Sequence, residues 1–207
     1  MILVLVGESA SGKSTIEKIF HERNPTFNKV VSYTTRPARD GEREGVDYHF
    51  VTVETFEQMR KEGAFIETAQ YRDWLYGSAK SDYIVEGNVI AVLTPHGCRS
   101  LKRWAKEAGI SVYSVYVKVD RRSRLIRNLY RGDNIEEAYR RSLSDVGQFD
   151  GFADEADYII ENEHYEKTIE EVYKEFALIH HQIELQEDAL KTYREILGSF
   201  EEQEVIP

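Results

Sequence analysis

The stretch Gly7-Glu8-Ser9-Ala10-Ser11-Gly12-Lys13-Ser14 decides how the rest of this 207-residue chain is interpreted. It reads G-x-x-x-x-G-K-S and follows the apolar run Ile2-Leu3-Val4-Leu5-Val6. Behind it, Ile16, Ile19 and Phe20 recur at helical spacing. A strand, a glycine-bounded turn and a helix N-terminus in this order predict a phosphate-binding P-loop. The alternative, an incidental glycine-rich turn, is disfavoured by the strand and the helix on either side.

The P-loop predicts a site for the phosphates of a nucleoside triphosphate. Its backbone N–H groups converge on phosphate oxygens, Lys13 places a cation between the outer phosphates, and the Ser14 hydroxyl is a ligand for Mg²⁺. The predicted donor-binding residues are Gly7, Ser9, Ala10, Ser11, Gly12, Lys13, Ser14 and Thr15.

Composition and charge narrow the class of protein. The net charge of −10 argues against non-specific nucleic-acid binding, although a local basic cleft can sit on an acidic body. The single cysteine, Cys98, excludes an intrachain disulfide and fits a reducing cytosol, so we expect a cytoplasmic protein. No stretch reaches transmembrane length, and the apolar N-terminal run is too short for a signal peptide, so no membrane partner is expected.

Apolar, β-branched runs alternate with helical patterns along the chain. This alternation after a P-loop predicts an α/β fold with a parallel sheet flanked by helices on both faces. The predicted strands cover residues 2–6, 30–33, 48–51, 64–70, 88–93, 112–119 and 157–161. The predicted helices cover 13–22, 53–62, 95–108, 121–131 and 134–148, with a last helix from 165 that is interrupted at Gly198.

A second group of polar residues follows in Ser32-Tyr33-Thr34-Thr35-Arg36-Pro37-Ala38-Arg39 and in Tyr48. It offers two guanidinium groups three residues apart, several hydroxyls and a tyrosine. Arginine binds phosphate bidentately, and hydroxyls complete the set of partners of a dianion. Taken alone, the same residues also fit a solvated basic loop with an exposed aromatic side chain.

This second stretch is similar to the nucleoside-monophosphate (NMP) lobe of guanylate kinases. The similarity continues in Phe65-Ile66-Glu67, Tyr76-Gly77-Ser78, Arg127-x-x-x-Arg131-Gly132 and Tyr158-Ile159-Ile160-Glu161-Asn162. It covers about residues 1 to 180, and the motifs are specific in combination. The resemblance implies ATP-dependent phosphorylation of GMP or dGMP, with Mg²⁺ as the cofactor.

The resemblance also implies a single domain, 1–207, with three working parts. A P-loop core would comprise residues 1–31, 89–120 and 146–180. A small mixed α/β NMP-binding lobe would comprise residues 32–88, and a helical lid residues 121–145. Residues 181–207 would form a helical extension beyond the length usual for the family.

Individual roles carry over by matching position. Around the acceptor's phosphate the resemblance places Ser32, Arg36, Arg39, Tyr48 and Tyr76. Near its base it places Glu67, Ser78 and Thr94, and among the catalytic residues Lys13, Arg127, Arg131 and Arg141. Considered without the resemblance, the arginines at this spacing also fit a charged helix face exposed to solvent.

The chain departs from the family pattern at three positions. Val92 and Thr94 stand where the family has an acidic D-x-D pair that helps to read guanine. Ser142 stands where it has a third lid arginine, for which Arg141 would substitute if the lid helix rotates. These departures keep two alternatives open: a related kinase acting on another NMP or on a phosphorylated ribose, and a non-catalytic guanylate-kinase-like binding domain.

The C-terminal extension carries an apolar stripe at helical spacing. Two interpretations are considered: a helix packed on the chain's own core, and a contact in a homodimer. The stripe consists of Leu190, Tyr193, Leu197 and Phe200.

Overall fold

The computed structural model describes residues 1–38, 41–71, 73–130, 135–162 and 169–201, without the side chains at 71, 137, 138, 141 and 196–201. The strands are β1 Ile2–Val6, β2 Phe27–Lys29, β3 Tyr33–Thr34, β4 His49–Phe50, β5 Phe65–Tyr71, β6 Trp74–Ala79, β7 Asn88–Leu93, β8 Val112–Lys118 and β9 Tyr158–Glu161. The helices are α1 Lys13–Arg23, α2 Val53–Lys61, α3 Pro95–Glu107, α4 Arg121–Tyr130, α5 Ile135–Ser144, α6 Phe152–Glu155 and α7 Ile169–Glu201.

The main sheet has five parallel strands in the order β2-β7-β1-β8-β9. Every residue of β1 is buried, as expected for a central strand that helices cover on both faces. Val6 at the end of β1 pairs with Leu93 at the end of β7. The loops that follow these two strands therefore leave the sheet side by side, at the edge where α/β proteins bind ligands.

Two apolar layers enclose this sheet and confirm the predicted α/β fold. On one face, Ile16 and Phe20 of α1 pack with Val172 and Phe176 of α7. On the other face, the packed residues come from α3, α6 and the turn before β7, among them Cys98, Leu101, Phe152 and Tyr83.

A smaller sheet, in the order β4-β3-β6-β5, lies within residues 32–88. Its strands β3 and β6, and β5 and β6, are antiparallel. It has its own apolar cluster, in which Phe56 of α2 stacks on Phe65 of β5 with ring centroids 4.6 Å apart. The Thr52 side chain caps α2 by accepting a hydrogen bond from the Thr55 N–H.

Two sequence-based element predictions are wrong. A strand was predicted at 30–33, but β2 ends at Lys29 and β3 begins only at Tyr33. The residues between them connect the main sheet to the smaller one. The interruption predicted at Gly198 is absent, since α7 runs on to Glu201. A single glycine inside a helix costs only about 1 kcal/mol, which the rest of a 33-residue helix tolerates.

The helix α7 extends beyond its last side-chain hydrogen bonds to the main sheet. Its last described side-chain bonds to the sheet join Gln186 to Tyr158 and Glu187 to Tyr113. Beyond them, Leu190 and Tyr193 are 45% and 59% exposed. Packing on the chain's own core is therefore wrong for these two residues, while the other stripe residues, Leu197 and Phe200, lie outside the described side chains. Within the ranges described, no helix is both long and apolar enough to cross a membrane.

A buried carboxyl on α1 makes the stability of the fold sensitive to pH. Glu17 is 5% exposed and lies 3.4 Å from Lys29, and burial raises its pKa from 4.5 to about 7 against the opposing pull of that lysine. A carboxyl whose pKa is raised on folding holds an extra proton in the native state. Its stabilising contribution is therefore present below about pH 4.5 and is lost as the pH rises through 7.

We expect the Glu17→Gln variant to flatten this pH dependence. In the unchanged protein this group alone lowers the free energy of unfolding by roughly 3 kcal/mol between pH 5 and pH 8. Urea denaturation across that range measures the slope. The Lys29→Met variant should steepen it, because the carboxylate then loses its cation. A Glu17→Gln slope equal to that of the unchanged protein contradicts the assignment.

Candidate active site

The P-loop forms between β1 and α1, as the sequence predicts. Ala10 and Gly12 both take left-handed backbone conformations, with φ of 61° and 99°. A Cβ at Gly7 would stand 2.6 Å from the Val117 carbonyl oxygen of β8 and 2.7 Å from the Ser11 hydroxyl, so only glycine fits. The loop then leads directly into the N-terminus of α1, where Gly12 provides no side-chain cap and the helix N-terminus favours an anion.

Lys13 folds back over the loop that it belongs to. Its ammonium group donates to the Glu8 carbonyl oxygen at 2.7 Å and to the Ser11 hydroxyl at 3.2 Å. Ser14 is exposed in the first turn of the helix, and Thr15 donates its backbone N–H to the Gly12 carbonyl oxygen. The lysine and the serine hydroxyl therefore both stand at the mouth of the loop.

Arg127 of α4 reaches this loop through Asn162. Its guanidinium donates to the Asn162 side-chain oxygen at 3.0 Å and to the Ala10 carbonyl oxygen at 3.4 Å. Asn162 is buried and also donates from its amide to the Ser11 carbonyl oxygen at 3.4 Å. One of the three predicted lid arginines is thus at the P-loop. Arg131 lies outside the described residues, and so does the side chain of Arg141.

Several predicted phosphate-binding residues of the acceptor site come together in the smaller sheet. Arg36 is 5% exposed, and its guanidinium lies 5.4 Å from the centroid of the Tyr48 ring. The Tyr48 and Tyr76 rings are 6.1 Å apart. Glu42 accepts from Arg36 at 2.8 Å. Ser32 immediately precedes β3 and accepts the backbone N–H of His49 at its carbonyl oxygen.

Not every part of that group is described. Arg39, which the sequence predicts beside Arg36, falls outside the described residues. Its place at the acceptor's phosphate stays a prediction.

A partly buried carboxylate lies at the position that the sequence predicts for the acceptor's base. Glu67 of β5 accepts a hydrogen bond from the Ser78 hydroxyl of β6 at 3.2 Å. Burial raises the pKa of Glu67, and the bond from Ser78 offsets part of that effect. A partly buried carboxylate can discriminate between ligands, since a ligand without matching donors leaves it unpaired.

Gly97 allows Glu67 to approach the first turn of α3. A Cβ at Gly97 would stand 3.1 Å from Cγ and 3.2 Å from Cδ of Glu67. Thr94 caps the same helix, accepting the Gly97 N–H at its hydroxyl at 3.1 Å. Because Thr94 follows β7 and the P-loop follows β1, this contact brings Glu67 to the edge of the sheet that carries the P-loop. Sequence reasoning missed Gly97 because only the fold shows what it adjoins.

The departures at Val92, inside β7, and at Thr94, directly after it, have different structural consequences. Val92 packs against the apolar cluster below α1 and α7, so it offers no polar group. Thr94 offers a hydroxyl, part of whose hydrogen-bonding capacity is used in capping α3. The acidic pair is therefore replaced by one apolar contact and one helix cap.

Comparison with known proteins agrees with this geometry. A family model described as guanylate kinase matches residues 1–178. The chain belongs to the guanylate kinase family. The match spans the P-loop, the smaller sheet and the last strand, and it includes both departures at Val92 and Thr94.

Individual relatives of the guanylate kinase family are similar over most of their length. The guanylate kinase of Paramagnetospirillum magneticum is 32% identical over 173 residues, which cover 82% of this chain and 80% of that protein. That of Sphingopyxis alaskensis is 32% identical over 204 residues, 95% of this chain and 86% of the relative. The crystal structure of guanylate kinase from Anaplasma phagocytophilum superposes with a TM-score of 0.63 at 25% identity, covering 88% of this chain and 85% of that one.

Family membership confirms the predicted enzyme class, a nucleoside monophosphate kinase. It favours GMP as the acceptor over another NMP or a phosphorylated ribose, and it disfavours a purely non-catalytic binding domain.

Proposed function

We propose that this guanylate kinase-like chain transfers the γ-phosphoryl group of ATP to GMP or dGMP in the cleft between the P-loop and the smaller sheet. The observation that carries the proposal is the placement of Glu67. Its partly buried carboxylate, bonded to Ser78 and set against the first turn of α3, lies at the same sheet edge as the P-loop. A guanine base has two adjacent N–H donors for such a carboxylate, which adenine does not offer.

The donor nucleotide binds at the P-loop. The backbone N–H groups at the start of α1 bind its phosphates, and Lys13 leaves the Glu8 carbonyl oxygen to bind an outer phosphate. The donor-binding residues in this proposal are Gly7, Ser9, Ala10, Ser11, Gly12, Lys13, Ser14 and Thr15.

The acceptor binds with its phosphate at Arg36 and its base at Glu67. The tyrosines beside Arg36 close around the phosphate, and the capped N-terminus of α3 supports the base end. The acceptor-binding residues in this proposal are Ser32, Arg36, Arg39, Tyr48, Glu67, Tyr76, Ser78 and Thr94.

The transfer itself is an in-line displacement. An oxygen of the GMP phosphate forms a bond to the γ-phosphorus as the bond to the β,γ-bridging oxygen breaks, and that electron pair leaves on ADP. The nucleophile is already an anion, so no general base is required. Positioning and neutralisation of charge supply the catalysis. Lys13 and Arg127 neutralise charge at the P-loop side, and Arg131 and Arg141 complete the set as the lid, residues 121–145, closes and excludes water.

The residues present fit Mg²⁺. Kinase sites usually hold this ion with one or two protein oxygens and the substrate's phosphates, and the exposed Ser14 hydroxyl supplies such an oxygen. In the part of the chain described, no group of three or more histidine, cysteine or acidic side chains is placed to hold a metal ion. The ion would supply neutralisation of charge on the donor's phosphates.

We further propose that the protein works in the cytoplasm as a homodimer joined through α7. The lone cysteine, Cys98, is buried, which suits a reducing compartment. The exposed Leu190 and Tyr193 lie on a stretch whose helical structure would be only marginally stable on its own in water. Light scattering should give about twice the 24.1 kDa of one chain, and a monomer would contradict the proposal.

A panel of acceptors tests the proposed function. A coupled assay measures the formation of ADP from ATP. The rate should be high with GMP or dGMP and low with AMP, CMP, UMP and ribose 5-phosphate. The Glu67→Gln variant should lose most of its preference for GMP, because its side chain replaces one of the two acceptor oxygens of the carboxylate with an N–H donor. Turnover of another acceptor without turnover of GMP or dGMP would overturn the base assignment.

A further inference from the structure

The turn after α5 brings a carboxylate onto the P-loop. Asp145 directly follows Ser144, the last residue of α5, and its Oδ2 accepts the backbone N–H of Ser9 at 2.9 Å. That N–H belongs to the loop that binds the donor's phosphates. An anionic side chain of the protein therefore occupies a position where a phosphate oxygen would bind.

Arg124 of α4 holds the same carboxylate from the other side. Its Nη1 lies 3.2 Å from Asp145 Oδ2, and its Nη2 lies 3.7 Å from the Glu8 carboxylate. Its Nε donates to the Val119 carbonyl oxygen at 3.2 Å, and the side chain is only 11% exposed. The guanidinium is thus fixed at its base, while its outer nitrogens face the mouth of the P-loop.

These groups border a cavity of about 300 Å³. A volume of this size is at the lower end for ligand sites, and here it adjoins the P-loop. Arg121 on its wall donates to the Ser142 hydroxyl at 3.3 Å. Glu8, on the same wall, accepts the Tyr116 hydroxyl at 3.2 Å. The cavity therefore presents two arginines, each held by a neighbouring oxygen.

We propose that Asp145 stands in for an outer phosphate of the donor nucleotide, and that Arg124 is a phosphoryl-binding residue which Asp145 holds in place until the nucleotide displaces it. The proposal rests on the proposed function only in that ATP is the donor. A backbone N–H and a guanidinium are the same partners that a phosphate oxygen requires.

The consequence is a competition between Asp145 and the nucleotide. Asp145 and Glu8 share one arginine, Arg124. A phosphate group carries more negative charge than a carboxylate, so its arrival at Arg124 displaces Asp145. Arg124 needs little reorganisation, because its Nε bond to Val119 is independent of the exchange. The apparent affinity for ATP equals the intrinsic affinity multiplied by the fraction of molecules in which Asp145 has left the loop.

Calorimetric titration of ATP in the absence of an acceptor tests the exchange. The Asp145→Asn variant keeps the size of the side chain and removes its charge, so ATP should bind at least about five-fold more tightly. Binding of AMP, which has no outer phosphates, should not change. The Asp145→Ala variant should behave in the same way if Asn proves to be poorly folded.

Variants of Arg124 test whether it is a phosphoryl-binding residue. The Arg124→Gln variant should weaken ATP binding and lower kcat about 100-fold, with partial recovery in Arg124→Lys. The matched control is Arg99→Gln, which breaks an exposed arginine–carboxylate pair with Glu155 away from the P-loop and should change neither quantity.

Three outcomes overturn the proposal: unchanged or weaker ATP binding in Asp145→Asn, an Arg124→Gln variant as active as Arg99→Gln, or a raised Mg²⁺ requirement in Asp145→Asn, which would make Asp145 a partner of the metal. The ATP titrations use no acceptor, so their result does not depend on whether GMP is the correct acceptor.

Discussion

The Lys13→Ala variant is expected to lose about 10²- to 10⁴-fold in kcat, as enzymes do when one preorganised charge-stabilising group is removed. The ammonium group stands at the mouth of the P-loop, 2.7 Å from the Glu8 carbonyl oxygen, and no other described cation occupies that position on the loop. The steady-state rate of ADP formation at saturating ATP and GMP measures the loss.

The control for this variant is Lys18→Ala, which removes an exposed lysine from the same helix. It should retain full activity, and both variants should keep the melting temperature of the unchanged protein within a few degrees. If the Lys13→Ala variant turned over at nearly the rate of the unchanged protein, the P-loop would not be the catalytic site.

The Arg36→Ala variant is expected to raise the KM for GMP about 10- to 100-fold and to leave the KM for ATP nearly unchanged. A hydrogen bond to a charged partner contributes roughly 1.5–3 kcal/mol, which corresponds to that range. Arg36 lies beside Tyr48 in the smaller sheet and is nearly fully buried, so solvent cannot replace its contact with the acceptor's phosphate. Initial rates with each nucleotide varied in turn separate the two constants.

Arg43→Ala is the matched control for Arg36→Ala. It removes an exposed arginine from the same stretch of chain, with the same change in net charge. It should raise the KM for GMP by less than about two-fold, as exposed charges contribute little. Equal effects of Arg36→Ala on the KM values for GMP and ATP would contradict the assignment of residues 32–88 to the acceptor.

The main sheet was predictable because its signals are local. The apolar runs that form β1, β7 and β8 are bounded by polar or glycine-containing turns, and β7 has the predicted bounds. The glycines of the P-loop were predictable for the same reason, since left-handed backbone and the close approach of Val117 both require them.

Contacts between segments distant in sequence were not predictable. Thr94 was expected near the base, which stays a prediction, whereas its capping of α3 depends on the angle at which the helix leaves β7. The contact of Asp145 with the P-loop joins residues 136 positions apart. No spacing rule connects such residues, so only the folded chain brings them together. The orientation of α7 past Glu187 was likewise unpredictable, because a stripe such as Leu190 and Tyr193 indicates a covered face without saying what covers it.

The proposed function requires one cleft that holds two nucleotides end to end, with ATP at the P-loop and GMP between Arg36 and Glu67. A bisubstrate analogue in which adenosine and guanosine are joined through five phosphates tests this directly by calorimetry. It should bind one molecule per chain, at least about 100-fold more tightly than ATP or GMP alone, because one ligand then fills both halves of the site. An affinity no greater than that of ATP alone would contradict the account.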